Sequence, residues 1–165
     1  DLDAQLQAVW RHRPAVLTFH FGLPPERVVE QAHRHNIAVG VTATCLEEAQ
    51  HIARAGADFV VAQGWEAGGH RGSFDPRQPD QKLPVLALVR SLLDCLSIPI
   101  VAAGGMMDGR DIGAVLAAGA TAAQLGTAFL YCDEAGTPRA HRQALRDGDE
   151  ETVFTSAFSG RPARG

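Results

Sequence analysis

The chain has 165 residues, 45% hydrophobic and 21% charged, with a formal net charge of -4. That composition suits one globular unit with a sizeable core and supplies no basic field for a nucleic-acid backbone. The longest apolar runs, Leu83 to Val89 and Ile98 to Ala103, fall well short of the ~20 residues of a spanning helix, so small molecules are the expected partners and the cytoplasm the expected location.

Along the chain, short β-branched runs alternate with stretches of helical spacing, the pattern of a parallel sheet built from βα units. Ala15 to Phe21 reads as the first strand, closed by Gly22, and a helix opens at Pro24-Pro25 with Val28, Val29 and Ala32 on one face. Ile37 to Thr42 is the second strand, and the helix from Leu46 to Ala55 turns Leu46, Ala49, Ile52 and Ala53 inward before Gly56. Asp58 to Ala62 is the third. A polar loop from Gln63 to Gln81 follows, far longer than the usual two to six residues of a βα connection, which points to function. A helix from Leu83 to Leu96 leads to the fourth strand, Ile98 to Ala103, which ends in Gly104-Gly105. Asp108 caps a helix from Gly109 to Ala118, Gly119 ends it, and Ala122 to Leu125 is the fifth strand.

The joints Ala55-Gly56-Ala57-Asp58 and Ala118-Gly119-Ala120-Thr121 form a weak repeat, which suits a barrel of equivalent units. Five strands cannot close a (β/α)8 barrel, so the expected fold class is α/β, an incomplete TIM-type barrel with about five of eight βα units. Residues 1–165 are read as a single domain, the C-terminal portion of such a barrel, and as a fragment because Asp1 replaces an initiator methionine. An open doubly wound sheet is the alternative, but glycines recur at consecutive strand ends here rather than at one switch point.

Barrel chemistry sits at the C-terminal strand ends. Those positions hold Gln63 to Gly72, Gly104-Gly105 and Gln124-Leu125-Gly126-Thr127. Gly104-Gly105 and Gly126-Thr127, on adjacent strand ends, offer unobstructed backbone N–H groups, suited to a phosphate. In Gly68-Gly69-His70-Arg71-Gly72 one imidazole stands among glycines, and histidine is the side chain whose pKa suits proton abstraction near neutrality. Arg71 reads as a solvated loop charge, Glu66 as a structural acceptor for the glycine loop, and Trp65 as packing and a pocket wall. Cys45, Cys95 and Cys132 read as free, mostly buried thiols. No metal site is expected, since His33 and His35 are two apart on a helix and do not share a face; His12, His51 and His141 are expected in solvent.

Ala62-Gln63-Gly64-Trp65-Glu66-Ala67-Gly68-Gly69-His70-Arg71-Gly72, Val101 to Arg110 with Gly104-Gly105, and Gln124 to Leu130 together resemble the nitronate monooxygenase family, formerly 2-nitropropane dioxygenase. Ser156 to Gly165 is similar to the family's segment beyond the last barrel strand. The resemblance implies a TIM barrel with non-covalent FMN, held by Gln63, Gly68 and Gly69 beside the flavin and by Gly104, Gly105, Gln124, Leu125, Gly126 and Thr127 around its phosphate. It implies His70 as the catalytic base, alkyl nitronates or nitroalkanes and O2 as substrates, and carbonyl compounds and nitrite as products. Met106 departs from the aliphatic residue usual after the glycine pair. The alternatives are an FMN-dependent enoyl-acyl carrier protein reductase, whose loop is similar, and a non-catalytic flavin-binding fragment.

Overall fold

A computed structural model describes residues 2–148, 151–157 and 159–165. Phe158, within the tail segment compared above, lies outside the described residues. The elements run in the order α1 (Leu2–His12), β1 (Val16–Phe19), α2 (Glu26–Arg34), β2 (Ala38–Ala43), α3 (Leu46–Arg54), β3 (Phe59–Gln63), β4 (Gly69–His70), α4 (Val85–Leu93), β5 (Ile100–Ala103), α5 (Gly109–Ala117), β6 (Ala122–Gln124), a 3-10 turn Thr127–Tyr131, α6 (Arg139–Asp147), β7 (Phe154–Thr155) and β8 (Ala163–Arg164). All five expected strands are present, each within a few residues of its expected limits.

β1, β2, β3, β5 and β6 form one sheet in that order, and every pairing in it is parallel. This is the curled, incomplete (β/α) barrel expected. The three inner strands are covered on both faces, and Val39, Val41, Val60, Ile100 and Ala102 are sealed from water against Ile52, Leu88, Leu92 and Val115 of the helices. The outer strands differ: Val16 of β1 is half exposed, and Ala122 and Gln124 of β6 are exposed.

Helix starts follow local chemistry. Asp108 accepts from the Arg110 and Asp111 amides while Asp111 accepts from the Asp108 amide, a reciprocal capping box that fixes where α5 begins. Helix ends follow one rule, used three times. Gly56 and Gly119 both lie at positive φ, and in each case the next amide reaches back five residues, Ala57 to Ile52 and Ala120 to Val115. Asn36 does the same after α2 at φ 57, with Ile37 N–H donating to Ala32. The sequence repeat shows two of these joints; the third uses the other residue that tolerates the left-handed region.

Three features lie outside the sequence expectation. α1 packs through Leu6 and Trp10, whose indole stacks on His35 at 5.4 Å. The tail folds back on the long loop: β8 pairs antiparallel with both β4 and β7, matching Gly69 with Arg164 and His70 with Ala163. α6 buries no residue and so has no apolar stripe to announce it.

An alanine Cβ at Gly56 would meet nothing within 4 Å, so Gly56→Ala tests the left-handed backbone alone. We expect a loss of about 1–2 kcal/mol in urea unfolding, with an unchanged slope against denaturant.

Candidate active site

The glycine-rich strand ends converge on one cleft. A cleft of about 500 Å³ at the C-terminal ends of β3, β5 and β6 is lined by Gln63, Gly68, Gly104, Gly105 and the whole Gln124 to Thr127 segment. Gly68 and Thr127 are close enough that a Cβ on Gly68 would stand 2.6 Å from the Thr127 hydroxyl. Gly104, at φ 100, lies against Ala67, where an added Cβ would come within 2.7 Å of the alanine methyl. Side chains at these positions would fill the cleft or force its walls apart. Gly69 and His70 are absent from this lining. They sit next to it, in β4.

Arg164 and Thr152 also line the cleft, two residues that sequence reasoning did not single out. Arg164 donates to the Trp65 carbonyl at 2.9 Å and to Thr152 Oγ1 at 2.9 Å, and its guanidinium lies 4.4 Å from the Phe154 ring centre. Its buried Nε has no acceptor among the described residues. A half-buried guanidinium whose buried Nε is unengaged, beside glycine strand ends in a cleft of this size, fits an anionic, flat cofactor such as a flavin mononucleotide. Trp65, stacked on Phe154 at 4.1 Å, forms one wall as expected.

The loop carrying His70 is held by two side chains. Gln63 Nε2 donates to the His70 carbonyl at 2.9 Å, and Gln63 Oε1 accepts the Gly72 N–H at 2.8 Å. Arg71 overturns the expectation of a solvated charge: its side chain is 2% exposed. Its Nη1 donates to the Gln63 and Gly64 carbonyls at 2.7 and 2.9 Å, while Nε and Nη2 grip both oxygens of Asp80 at 2.7 and 3.1 Å. Sequence shows the charge but not the carbonyls and the carboxylate that receive its donors. Glu66 also departs from its expected role, since its carboxylate accepts from the Val85 amide and caps α4 rather than the glycine loop.

His70 Nε2 lies 2.6 Å from Ser159 Oγ, and Ser159 Oγ in turn accepts the Arg161 N–H at 3.4 Å. On its other side stand His20 and Phe21, which follow β1. Phe21 holds a left-handed backbone at φ 73 and packs in a T-shaped arrangement against both imidazoles. The Arg161 guanidinium covers that ring at 4.5 Å. Desolvation pushes the His20 pKa below its ordinary 6.5; the bond to the His70 carbonyl opposes this, and the His70 and Arg161 charges reinforce it.

A larger cavity of about 710 Å³ lies between α3 and the loop segment 73–81. It lacks the glycine strand ends and His70, and its four carboxylates are engaged: Glu47 with Gln81, Glu48 with Thr44 and the Phe74 amide, Asp75 with Arg77, Asp80 with Arg71. The cleft therefore remains the candidate site. Cys45 and Cys132 are half-buried free thiols, but Cys95 is exposed beyond α4, contrary to expectation. Burial, reinforced by the Glu48 and Glu47 charges, pushes the Cys45 thiol up to about 11. His12, His51 and His141 are exposed. Among the described residues no group of three or more His, Cys, Asp or Glu is placed to hold a metal ion, and no helix is long and apolar enough to cross a membrane.

The family model described as nitronate monooxygenase matches residues 2–165. A nitronate monooxygenase of Pseudomonas aeruginosa is 50% identical over 161 residues, which cover 97% of this chain and 46% of that protein. The solved structure of a nitroalkane oxidase from Streptomyces ansochromogenes superposes with TM-score 0.94 at 47% identity, over 99% of this chain and 48% of that one. FabK from Thermotoga maritima superposes with TM-score 0.82 at 30% identity, over 98% and 49%. The chain thus spans about half the length of the relatives it matches.

Burial pushes the Asp80 carboxyl up, but hydrogen bonds from Arg71 and the Lys82 amide, with the charges of both residues, hold it below its ordinary 3.8. A carboxylate depressed on folding contributes stability above pH 3.8 that is lost as pH falls from there through the folded value. Asp80→Asn should therefore flatten the acid limb of stability in that window. Arg71→Met, which strands Asp80 and two loop carbonyls, should cost about 3–5 kcal/mol in urea unfolding at pH 7.

Proposed function

This chain belongs to the nitronate monooxygenase family, and we propose that the full-length protein is an FMN-dependent enzyme that oxidises alkyl nitronates with O2 to carbonyl compounds and nitrite. The observation that carries this reading is the adjacency of a glycine-walled cleft and a clamped histidine, with Gln63 belonging to both. Gln63, Gly68 and Gly69 would lie beside the flavin ring. Gly104, Gly105, Gln124, Leu125, Gly126 and Thr127 would surround the phosphate, with Arg164 as the nearby cation. When bound, FMN supplies the one-electron chemistry between the nitronate and oxygen.

The protein's own residues do the rest. His70 takes the proton α to the nitro group of a neutral nitroalkane, a step that a preformed nitronate does not need. Ser159 Oγ accepts from Arg161, which leaves its O–H to donate to His70 Nε2. In that arrangement Nε2 is the unprotonated nitrogen, and its one lone pair, occupied by the Ser159 O–H at rest, takes the substrate proton when the hydroxyl turns away. The clamp by Gln63 and the β4–β8 pairing fix the backbone that carries the ring.

Anaerobic mixing of the full-length flavoprotein with propionate 3-nitronate should reduce the flavin, and NADPH should not. Reduction by NADPH alone would favour the reductase resemblance instead. His70→Asn should lower turnover of a neutral nitroalkane by roughly 100-fold or more, and of a preformed nitronate far less. Equal losses on the two substrates would remove His70 as the base.

A further inference from the structure

His20 is a second imidazole at the site, fifty residues away in sequence, that neither the motif resemblance nor the glycine cleft accounts for. Its Nε2 lies 3.2 Å from the His70 carbonyl oxygen and its Nδ1 lies 3.0 Å from Thr42 Oγ1. A carbonyl can only accept, so Nε2 carries the proton, and in the neutral ring Nδ1 is left to accept from the Thr42 hydroxyl. The His70 carbonyl then receives two donors, Gln63 Nε2 from β3 and His20 Nε2 from the end of β1, and both of its lone pairs are occupied.

Packing supports the same contact independently. A Cβ on Gly72 would stand 2.6 Å from His20 Cε1 and 2.6 Å from Thr42 Cγ2, so both side chains press directly on the loop two residues beyond His70. Gly72 has no positive φ that would require glycine, so this close approach is what an alanine there would violate.

We infer that His20, oriented by Thr42, is a positioning residue that holds the His70 peptide from the β1 side and thereby sets the placement of the His70 imidazole. The inference rests on His70 being the proton-abstracting base. His20 itself need not touch the substrate; it acts through the main chain of its neighbour. Because the reach of a base to a carbon-bound proton is sensitive to misplacement of about 1 Å, loosening this hold should weaken proton abstraction specifically.

The test uses the full-length flavoprotein with nitroethane and preformed ethyl nitronate as the two substrates. His20→Phe removes both nitrogens at similar bulk, and His20→Gln returns a donor near the Nε2 position. His20→Phe should lower kcat/KM for nitroethane roughly 10- to 100-fold and for ethyl nitronate less than about 2-fold, and His20→Gln should recover most of the loss. Thr42→Val and Gly72→Ala should move the same ratio in the same direction, which keeps the question open to measurement if His20→Phe does not fold. As a readout apart from turnover, 15N resonances of histidine-labelled protein should show one dominant His70 tautomer that becomes an averaged mixture in His20→Phe and returns in His20→Gln. Equal losses on both substrates, or folded variants with an unchanged ratio and an unchanged His70 spectrum, would overturn the proposal. His70→Asn measured alongside separates the two readings: no split there removes the base itself, while a split there without an effect at His20 removes only the positioning.

Discussion

The site depends first on where the Arg71 guanidinium can put its charge. An unpaired guanidinium away from water would cost several kcal/mol, and a loop of glycines has little else to give it shape. Here the charge is taken up by both oxygens of Asp80 and by the carbonyls of Gln63 and Gly64 at the end of β3. Those contacts tie the end of a rigid strand, the middle of the loop and its far side into one object. The planar fork of arginine can serve the carboxylate and the carbonyls together, which a lysine could not. His70 and Gly72 flank Arg71 and are bonded to the two ends of the Gln63 side chain. The proposed base thus owes its position to a residue that does no chemistry.

The parallel sheet supplies the other constraint. Three neighbouring strand ends converge on one cleft, two of them, β3 and β5, ending strands sealed on both faces. Glycine at those ends lets backbone approach closely where a side chain would intrude, as at Gly68 against Thr127 and Gly104 against Ala67. The same geometry places His20, after β1, within reach of His70, although β1 and β3 are separated by β2.

The strands are legible because the inner ones are short runs rich in Val, Ile and Ala, and the α5 start because Asp108 is a strong capping residue just ahead of the helix. The glycine strand ends were legible for a related reason: their function is local, and a doublet such as Gly104-Gly105 states it in two letters. Partnerships between distant residues were not. Nothing in the chain marks Asp80 as the acceptor for Arg71, or Ser159 and His20 as neighbours of His70. Asn36 leaves the third helix joint unmarked because the repeat in the sequence is a glycine one, and α6 is silent because none of its residues is buried. The resemblance brought the tail segment into view without saying where it goes.

Where the tail goes has a consequence for motion. β4, β7 and β8 form a sheet of their own, each strand two residues long, joined to the parallel sheet by side chains rather than by ladder bonds. Two-residue strands hold one another by few ladder bonds, so this patch is expected to open at less cost than the parallel strands beneath it. When β8 leaves β4, the loop loses its backbone partners at Gly69, His70 and Arg71 together, and Ser159 departs with it. The same short tail segment supplies Thr152 and Arg164 to the cleft wall, so contact with the imidazole and closure of the cleft are carried by one piece of chain.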